Sequence, residues 1–342
     1  MADFKIINKR MPLIVLLAAV ICAVAVGTGF RKSTAQQKKS IKIGVSIYKS
    51  NDTFVNTMME AMEAKAKKFE IETGIKVSLD VSSAKENQRT QNEQIKRYIS
   101  LDYDVICVNL VDRTNASAVI EAAMDKNIPI VFFNREPVAE DIFRWENIYY
   151  VGTDAKSTAV LQGQILIDAY KKNPETLDKN GDGKLQYVML EGEMGHQDSI
   201  IRTEWSVQTL TDYGIPMEKI ESAAANWERS QGAALMEQWI NTYGKEIEVV
   251  LCNNDDMALG AADALTKANI TDIAVVGIDA TQAGVKAVEE GNLLGTVDCN
   301  AQKQGETIFD ISAGIWSDGN VPSNVMIENN RYVRAPLTKV TQ

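Results

Sequence analysis

Short polar side chains stand directly after five apolar runs of this sequence. They are Asp52 after 41–47, Asn134 after 128–133, His196, Asp198 and Arg202 after 185–190, Asn253, Asn254 and Asp255 after 247–252, and Asp279 after 273–278. Carboxylates and amides bond two hydroxyls at once, and an arginine fork donates to two adjacent oxygens. Phe54 and Trp227, in nearby loops, add flat apolar faces that suit the C–H faces of a pyranose. The set predicts a cleft for a small polyhydroxylated ligand.

A simpler role competes at several of these positions. Asp52, Asp198 and Asp255 each precede a stretch with helical spacing, where a carboxylate commonly caps the helix N-terminus. A lone aromatic residue is more often part of a core than of a binding site. Agreement among five strand ends favours the cleft, and capping is compatible with it.

The elements that position these residues alternate along the chain. Strands are predicted at 41–47, 104–110, 128–133, 148–151, 185–190, 247–252, 273–278 and 294–297, and helices at 53–69, 112–125, 156–171, 198–213, 227–243, 255–268 and 301–316. Strands that alternate with helices of this length indicate βαβ units and a parallel sheet. The strands are apolar throughout, as expected where helices cover both faces. Ligands of such open sheets bind beyond the carboxyl ends of the strands.

About eight such units are more than one ordinary open sheet holds. We therefore predict an α/β fold of two doubly wound parallel-sheet lobes, with a (β/α)8 barrel as the alternative. The segment YVGTD at 150–154 follows a polar loop at 137–147, which favours a crossing between two lobes over a continuous barrel.

Composition excludes several classes of function. The 342 residues include 36 Lys and Arg against 46 Asp and Glu, a net charge of −10, which argues against a nucleic-acid partner. One histidine and four cysteines without a CxxC pair exclude a multi-histidine metal centre and a zinc ribbon. A hydrophobic content of 45% excludes disorder over most of the chain.

The N-terminus has the layout of an export signal. Lys5, Lys9 and Arg10 precede a charge-free stretch from Met11 to Phe30. Residues 1–32 are thus predicted to be a cleaved signal peptide or a retained membrane anchor, since about 20 apolar residues also span a bilayer. Lipidation of Cys22 is a third possibility, which Ile21 disfavours because a small residue is needed there. Residues 33–40 read as a linker, and the rest of the chain is expected outside the cytoplasm, in the periplasm or tethered at the cell surface.

Residues 178–186, DKNGDGKLQ, match the first nine positions of an EF-hand calcium loop. The predicted ligands are Asp178, Asn180, Asp182, the carbonyl of Lys184 and Gln186. Position twelve is Met189 instead of glutamate, so a carboxylate from elsewhere is needed. The alternative is a polar turn, where Asn-Gly and Asp-Gly pairs are common.

Several segments in order resemble the galactose/glucose-binding proteins of bacterial ABC sugar importers, which have the type I periplasmic-binding-protein fold. They are IGVSIYKSNDTF, VNLVD, PIVFFNREP, YYVGTD, DKNGDGKLQ, GEMGHQDSIIR, IEVVLCNND, VVGIDA and VRAP, within about 41–342. The resemblance implies sugar contacts from Asp52, Phe54, Asn134, His196, Asp198, Arg202, Trp227, Asn254 and Asp279, with the pyranose between Phe54 and Trp227. It also implies Glu248 as the missing carboxylate of one structural calcium ion.

One position departs from that family. Cys299, in GTVDCNA, stands where the family has an asparagine sugar ligand. A thiol bonds hydroxyls poorly, so the contact at Cys299 is expected to be weakened or taken over by Asp298 or Asn300. The other interpretation is a buried cysteine that packs as a small hydrophobe.

The resemblance further implies a three-segment hinge near 152–154, 298–301 and 333–336. The first lobe is then 41–152 plus 301–333, and the second is 154–298 plus 336–342, with the loop 178–186. A monomeric, non-enzymatic protein would close around a monosaccharide and deliver it to an ABC permease, with a chemoreceptor as a second partner. Three alternatives are a glycoside hydrolase with paired aspartates, a sugar sensor without a transport role, and a sugar-responsive transcription regulator. The apolar segment occupies the place where the regulator needs its helix-turn-helix.

Overall fold

A computed structural model describes residues 40–342 of the chain. The predicted signal or anchor and all of the linker except Ser40 lie outside the described residues. Within 40–342, none of the helices combines the length and the apolar character that a bilayer crossing requires.

Twelve strands and ten α-helices alternate over this range. The strands are β1 (Ser40–Ile47), β2 (Lys76–Ser83), β3 (Val105–Val108), β4 (Ile130–Phe133), β5 (Ile148–Gly152), β6 (Leu185–Glu191), β7 (Met217–Ala224), β8 (Val249–Cys252), β9 (Ala274–Val276), β10 (Gly295–Asp298), β11 (Tyr332–Arg334) and β12 (Thr338–Thr341). The helices are α1 (Thr53–Thr73), α2 (Gln88–Ser100), α3 (Ala116–Met124), α4 (Ala139–Ile142), α5 (Ala155–Lys172), α6 (Gln197–Tyr213), α7 (Arg229–Tyr243), α8 (Asp255–Lys267), α9 (Gln282–Glu289) and α10 (Ala301–Asp318).

The strands form two separate six-stranded sheets, in the orders β11-β5-β4-β3-β1-β2 and β12-β10-β9-β8-β6-β7. Every pairing in the first sheet is parallel, and the second sheet is parallel except at β12, which runs antiparallel to β10. The prediction of two doubly wound lobes is confirmed, and the single barrel is wrong.

The chain passes between the two sheets three times. The first crossing follows β5 of the first sheet and precedes β6 of the second. The second crossing lies between β10 of the second sheet and α10. The third lies between β11, which pairs in the first sheet, and β12, which pairs in the second. Helix α10 packs against α1 of the first lobe, where the backbone of Met58 lies so close to Gly305 that a Cβ there would be 2.1 Å from the Met58 carbonyl oxygen. The crossings therefore fall at 153–154, 299–300 and 335–337.

Four clusters of buried side chains form the core, two in each lobe. In the first lobe, alternate residues of β1 such as Ile41 and Ile43 pack with α1 and α10, whereas Ile106 and Phe132 pack with α2 and α3. Because the central strands β3 and β4 are buried at every position, their sequences are continuous apolar runs. This packing fixes the strand ends from which the polar side chains project.

Candidate functional site

A single cavity between the two lobes collects the polar strand-end residues. Its walls surround about 380 Å³ of space, including the part open to solvent. Nine of the ten predicted ligand residues line it, together with two further residues. The lining residues are Tyr48, Asp52, Phe54, Asn134, Arg135, His196, Asp198, Arg202, Trp227, Asn254 and Asp279. Both lobes thus contribute to one polar site with two flat aromatic side chains.

Asp52 serves two purposes at the N-terminus of α1. Its Oδ1 accepts a 2.8 Å hydrogen bond from the backbone N–H of Val55, which makes it the helix cap. Its Oδ2 accepts a hydrogen bond from the hydroxyl of Tyr48, the residue that directly follows β1. The two bonds fix the carboxylate at the cavity wall, so a capping role and a place in the cavity lining coincide at Asp52.

Arg135 was missed by the sequence analysis, although it follows the predicted ligand Asn134. Its guanidinium carbon lies 3.6 Å from the centre of the Tyr48 ring, its Nη1 donates to the carbonyl of Val111, and its Nη2 donates to Glu193 at 2.9 Å. Tyr48, the other residue that was missed, buries its ring beneath this arginine. Tyr48 directly follows β1 and Arg135 is the second residue after β4, so a position just after a strand was the signal that would have identified both residues.

His196 caps helix α6 and is neutral. Its Nδ1 accepts a hydrogen bond of 3.1 Å from the backbone N–H of Asp198. Burial lowers the pKa of His196 well below its usual value, and the charges of Arg135, Arg202 and Arg113 lower it further. A neutral imidazole that accepts at Nδ1 carries its proton at Nε2, which leaves one donor for a ligand. The ring meets Trp227 edge to face, with the centroids 5.1 Å apart.

Arg202 organises the carboxylates of the second lobe. Its Nη2 donates to Asp198 Oδ2 at 3.2 Å, and its Nη1 donates to the carbonyl of Asn253 at 2.9 Å and lies 3.7 Å from Asp279 Oδ1. Burial raises the pKa of Asp198, and that of Asp279 well above its usual value, while Arg202 acts in the opposite direction. Arg202 Nε is buried without a hydrogen-bond partner, so a ligand oxygen would satisfy a donor that the protein leaves unpaired.

Three of the lining residues have a left-handed backbone, which is uncommon for residues other than glycine. The φ angles are 59° at Asn134, 66° at Trp227 and 119° at Asp279. Such conformations cost about 1–3 kcal/mol each and concentrate at ligand sites.

Trp227 is held in place from two directions. Asn254, which caps α8 by accepting from the N–H of Met257, donates its Nδ2 to the Trp227 carbonyl at 3.3 Å. Gly192, at the end of β6, lies directly against the indole, and a Cβ on it would be 2.1 Å from two ring carbons. Phe54 packs against buried clusters of both lobes.

Cys299 is the predicted ligand that the structure places elsewhere. Its side chain is fully buried in the core of the second lobe with Val297 and Ile278, and it does not line the cavity. Burial raises the pKa of the thiol well above its usual value. The packing interpretation of Cys299 therefore fits this conformation.

Polar contacts join the two lobes around the cavity. Lys49 Nζ lies 2.6 Å from Glu228 Oε1, Thr53 Oγ1 donates to Asp256 at 2.7 Å, and Arg135 pairs with Glu193. Each pair joins a residue of the first lobe to one of the second, so the described conformation is closed.

The loop 178–186 lies against Glu248, the carboxylate that the resemblance implies for it. Glu248 is 1% exposed, and its carboxylate accepts from the backbone N–H groups of Lys179, Asn180 and Gln186. Asp178 accepts from two loop glycine N–H groups, as a first ligand of such a loop does. Over residues 40–342 no group of three or more His, Cys, Asp or Glu side chains is arranged to hold a metal ion. Ligation here would thus depend on amide and carbonyl oxygens as well as carboxylates.

Comparison with known proteins identifies the family of this chain. Residues 43–319 match the model of the periplasmic binding protein domain. The chain is 34% identical over 324 residues to the D-galactose/methyl-galactoside binding periplasmic protein MglB of Haemophilus influenzae, covering 94% of this chain and 96% of that protein. It is 29% identical to a putative rhizopine-binding protein of Rhizobium meliloti, over 90% of this chain and 94% of the relative.

A solved structure has the same fold. An ABC transporter solute-binding protein from Bacillus halodurans with bound myo-inositol superimposes with a TM-score of 0.75 at 30% identity, over 90% of this chain and 96% of that one. The two lobes, the interlobe cavity and these matches together lead to one conclusion: the chain belongs to the periplasmic binding protein family.

Proposed function

We propose that this protein captures a monosaccharide, D-galactose or D-glucose, outside the cytoplasm and delivers it to an ABC importer. The observation that carries the proposal is the convergence of nine predicted strand-end and aromatic residues from both lobes on one cavity. The names of the relatives support the transport role, and that of the Haemophilus protein supports galactose. The basic and apolar N-terminal segment supports an extracytoplasmic location.

The cavity offers the complementary groups that a sugar ring needs. Asp52, Asp198 and Asp279 accept from hydroxyls, while Arg202 Nε and His196 Nε2 donate. Trp227 and Phe54 would cover the apolar faces of the ring. Buried hydroxyls must find partners, and this set supplies acceptors and donors from both lobes.

Capture would work by closure of the two lobes. A ligand can shift the lobes to the closed state only if it binds that state better than the open one. Residues from both lobes line the cavity, so the full set of contacts forms only on closure. The closed pair of lobe surfaces is then what a permease, and in a second role a chemoreceptor, would recognise.

A thermal-shift screen followed by calorimetry tests the proposal. D-galactose, D-glucose, D-ribose, D-xylose and myo-inositol are added to the purified chain, and we expect D-galactose or D-glucose to raise the Tm most. Asp279→Ala should abolish the shift, whereas Asp263→Ala, which removes an exposed carboxylate far from the cavity, should retain it. If no hexose changes the Tm at millimolar concentration, the proposal is wrong. Sustained cleavage of aryl glycosides would favour the hydrolase instead, and failure to retain a permease would favour the sensor.

We propose one structural calcium ion at the loop 178–186. Asp178, Asn180, Asp182, the Lys184 carbonyl, Gln186 and Glu248 would hold it. The fit rests on the buried Glu248 carboxylate, which lies against the loop and forms no ion pair with an arginine or lysine among residues 40–342. A cation that binds only the native chain stabilises it by mass action. EDTA should lower the Tm, and calcium should restore it. Glu248→Gln should abolish that response, and the exposed Glu246→Gln should keep it. An unchanged Tm in EDTA would refute the site.

A further inference from the structure

A second cavity lies beside the first one and shares two lining residues with it. It encloses about 670 Å³, including its open part, against about 380 Å³ for the first. Residues 111–113 and 135–136 of the first lobe and 193–197 of the second lobe line it. Arg135 and His196 line both cavities, so a ligand in the first that carried a substituent past these two residues would enter the second.

The lining of the second cavity selects against charged and apolar substituents. Three carboxylates, those of Asp112, Glu136 and Glu193, face two guanidiniums. Arg113 donates to the carbonyls of Glu136 and Pro137, Arg135 pairs with Glu193, and the Glu136 carboxylate pairs with Arg334, so these charged groups already have partners within the protein. Only Val111 and Met194 are apolar in this set.

Two buried atoms at this cavity lack hydrogen-bond partners. They are Arg135 Nε, on a residue that is 6% exposed, and Gln197 Oε1. Leaving a buried polar group unpaired costs about 1–3 kcal/mol. A ligand with several hydroxyls can accept from Arg135 Nε and donate to Gln197 Oε1, because each hydroxyl is both a donor and an acceptor.

We infer that the second cavity is a subsite for an uncharged, hydroxyl-rich substituent, such as a second pyranose, joined to the sugar in the first cavity. The inference rests on the proposed function and extends its ligand class from monosaccharides to disaccharides. The Arg135–Glu193 pair stands between the lobes at this subsite, so the longer ligand is held by the same closure.

Calorimetry with matched ligands and variants tests the subsite. D-galactose and D-glucose are compared with lactose, melibiose and gentiobiose, which carry a second pyranose on different hydroxyls. We expect at least one disaccharide to bind within about tenfold of its monosaccharide. Gln197→Phe, which places a bulkier apolar ring at the second cavity and breaks no hydrogen bond of Gln197 Oε1, should weaken the disaccharide at least tenfold and the monosaccharide less than twofold. Gln197→Ala, which leaves space but removes that oxygen, should bind the monosaccharide as the native chain does and the disaccharide more tightly than Gln197→Phe does. Gln208→Phe, on the exposed face of the same helix, should bind both as the native chain does.

The failures are distinguishable. If the monosaccharide binds and no disaccharide does at millimolar concentration, the subsite is wrong and the proposed function stands. A disaccharide that binds equally well to Gln197→Phe also overturns the subsite, because the second ring then lies elsewhere. If no sugar of either class binds the native chain, the proposed function fails and the subsite with it.

Discussion

Replacing Gly192 by alanine tests whether the position of Trp227 determines ligand affinity. Gly192 directly follows the strand β6, and a Cβ on it would be 2.1 Å from two carbons of the Trp227 ring. Carbon atoms in contact are normally about 3.5–4.0 Å apart. Either the ring or the backbone at position 192 must therefore move by about 1.5 Å, and the bond from the Gly192 N–H to Asn253 Oδ1 opposes movement of the backbone.

The expected magnitude follows from the cost of overpacking, which is typically about 1–3 kcal/mol. If the ring moves, this cost reduces the affinity for the sugar by about 5- to 140-fold, since about 1.4 kcal/mol is tenfold in Kd. If the ring stays, the cost appears as lower stability. Calorimetry measures the Kd for the sugar that the thermal screen identifies, and urea unfolding measures the free energy of unfolding.

A double-mutant cycle isolates the contact. With Trp227→Ala already present, Gly192→Ala should cost much less stability, because the ring that the new methyl group meets is absent. Unchanged Kd and unchanged stability in Gly192→Ala, or equal costs in both backgrounds, would refute the reasoning that this glycine positions the indole.

Two further predictions concern charge. Glu228→Gln removes the carboxylate that pairs with the buried Lys49 across the cleft. We expect it to weaken sugar binding at least about threefold and to make the affinity less dependent on salt than that of the native protein. Glu237→Gln, which breaks an exposed ion pair, should leave the affinity unchanged, and calorimetry that gives Glu228→Gln the native affinity would contradict the prediction. Burial raises the pKa of Asp255 to about 7 from 3.8, so between about pH 4 and about pH 7 the folded state holds a proton that the unfolded state has released, and this group's contribution makes stability fall as pH rises. Asp255→Asn, whose amide can donate to the Thr296 hydroxyl that now donates to the carboxylate at 2.6 Å, should reduce that slope in urea unfolding, and an unchanged slope would contradict the assignment.

The sequence predicted the central strands because burial on both faces gives them an unbroken apolar pattern. Strands such as β4 and β8 are buried on both faces and read as continuous apolar runs. The edge strands β2 and β7 were missed, since one side of each is open and Lys76, Glu218 and Lys219 interrupt the apolar pattern. Helix α2, between β2 and β3, was missed with them because its mean hydropathy is low and few of its residues are buried.

The residue types, their place after strands and their resemblance to a family were enough to predict nine of the residues that line the cavity. The rule that parallel strands present their carboxyl ends at one edge supplied the physical link between sequence and site. The loop 178–186 matches an EF-hand pattern by spacing alone, whereas Glu248 came only from the resemblance, and the calcium ion stays a prediction.

Only the tertiary structure decided what depends on contacts between distant segments. It buried Cys299 in a core and brought Tyr48 and Arg135 to the cavity. It set Gly192 against Trp227 and opened a second cavity beside the first. Sequence patterns report the face on which a side chain lies, because that follows from the local period of the backbone. They do not report which atoms meet across two lobes, because that depends on how the sheets and hinge orient every strand end at once.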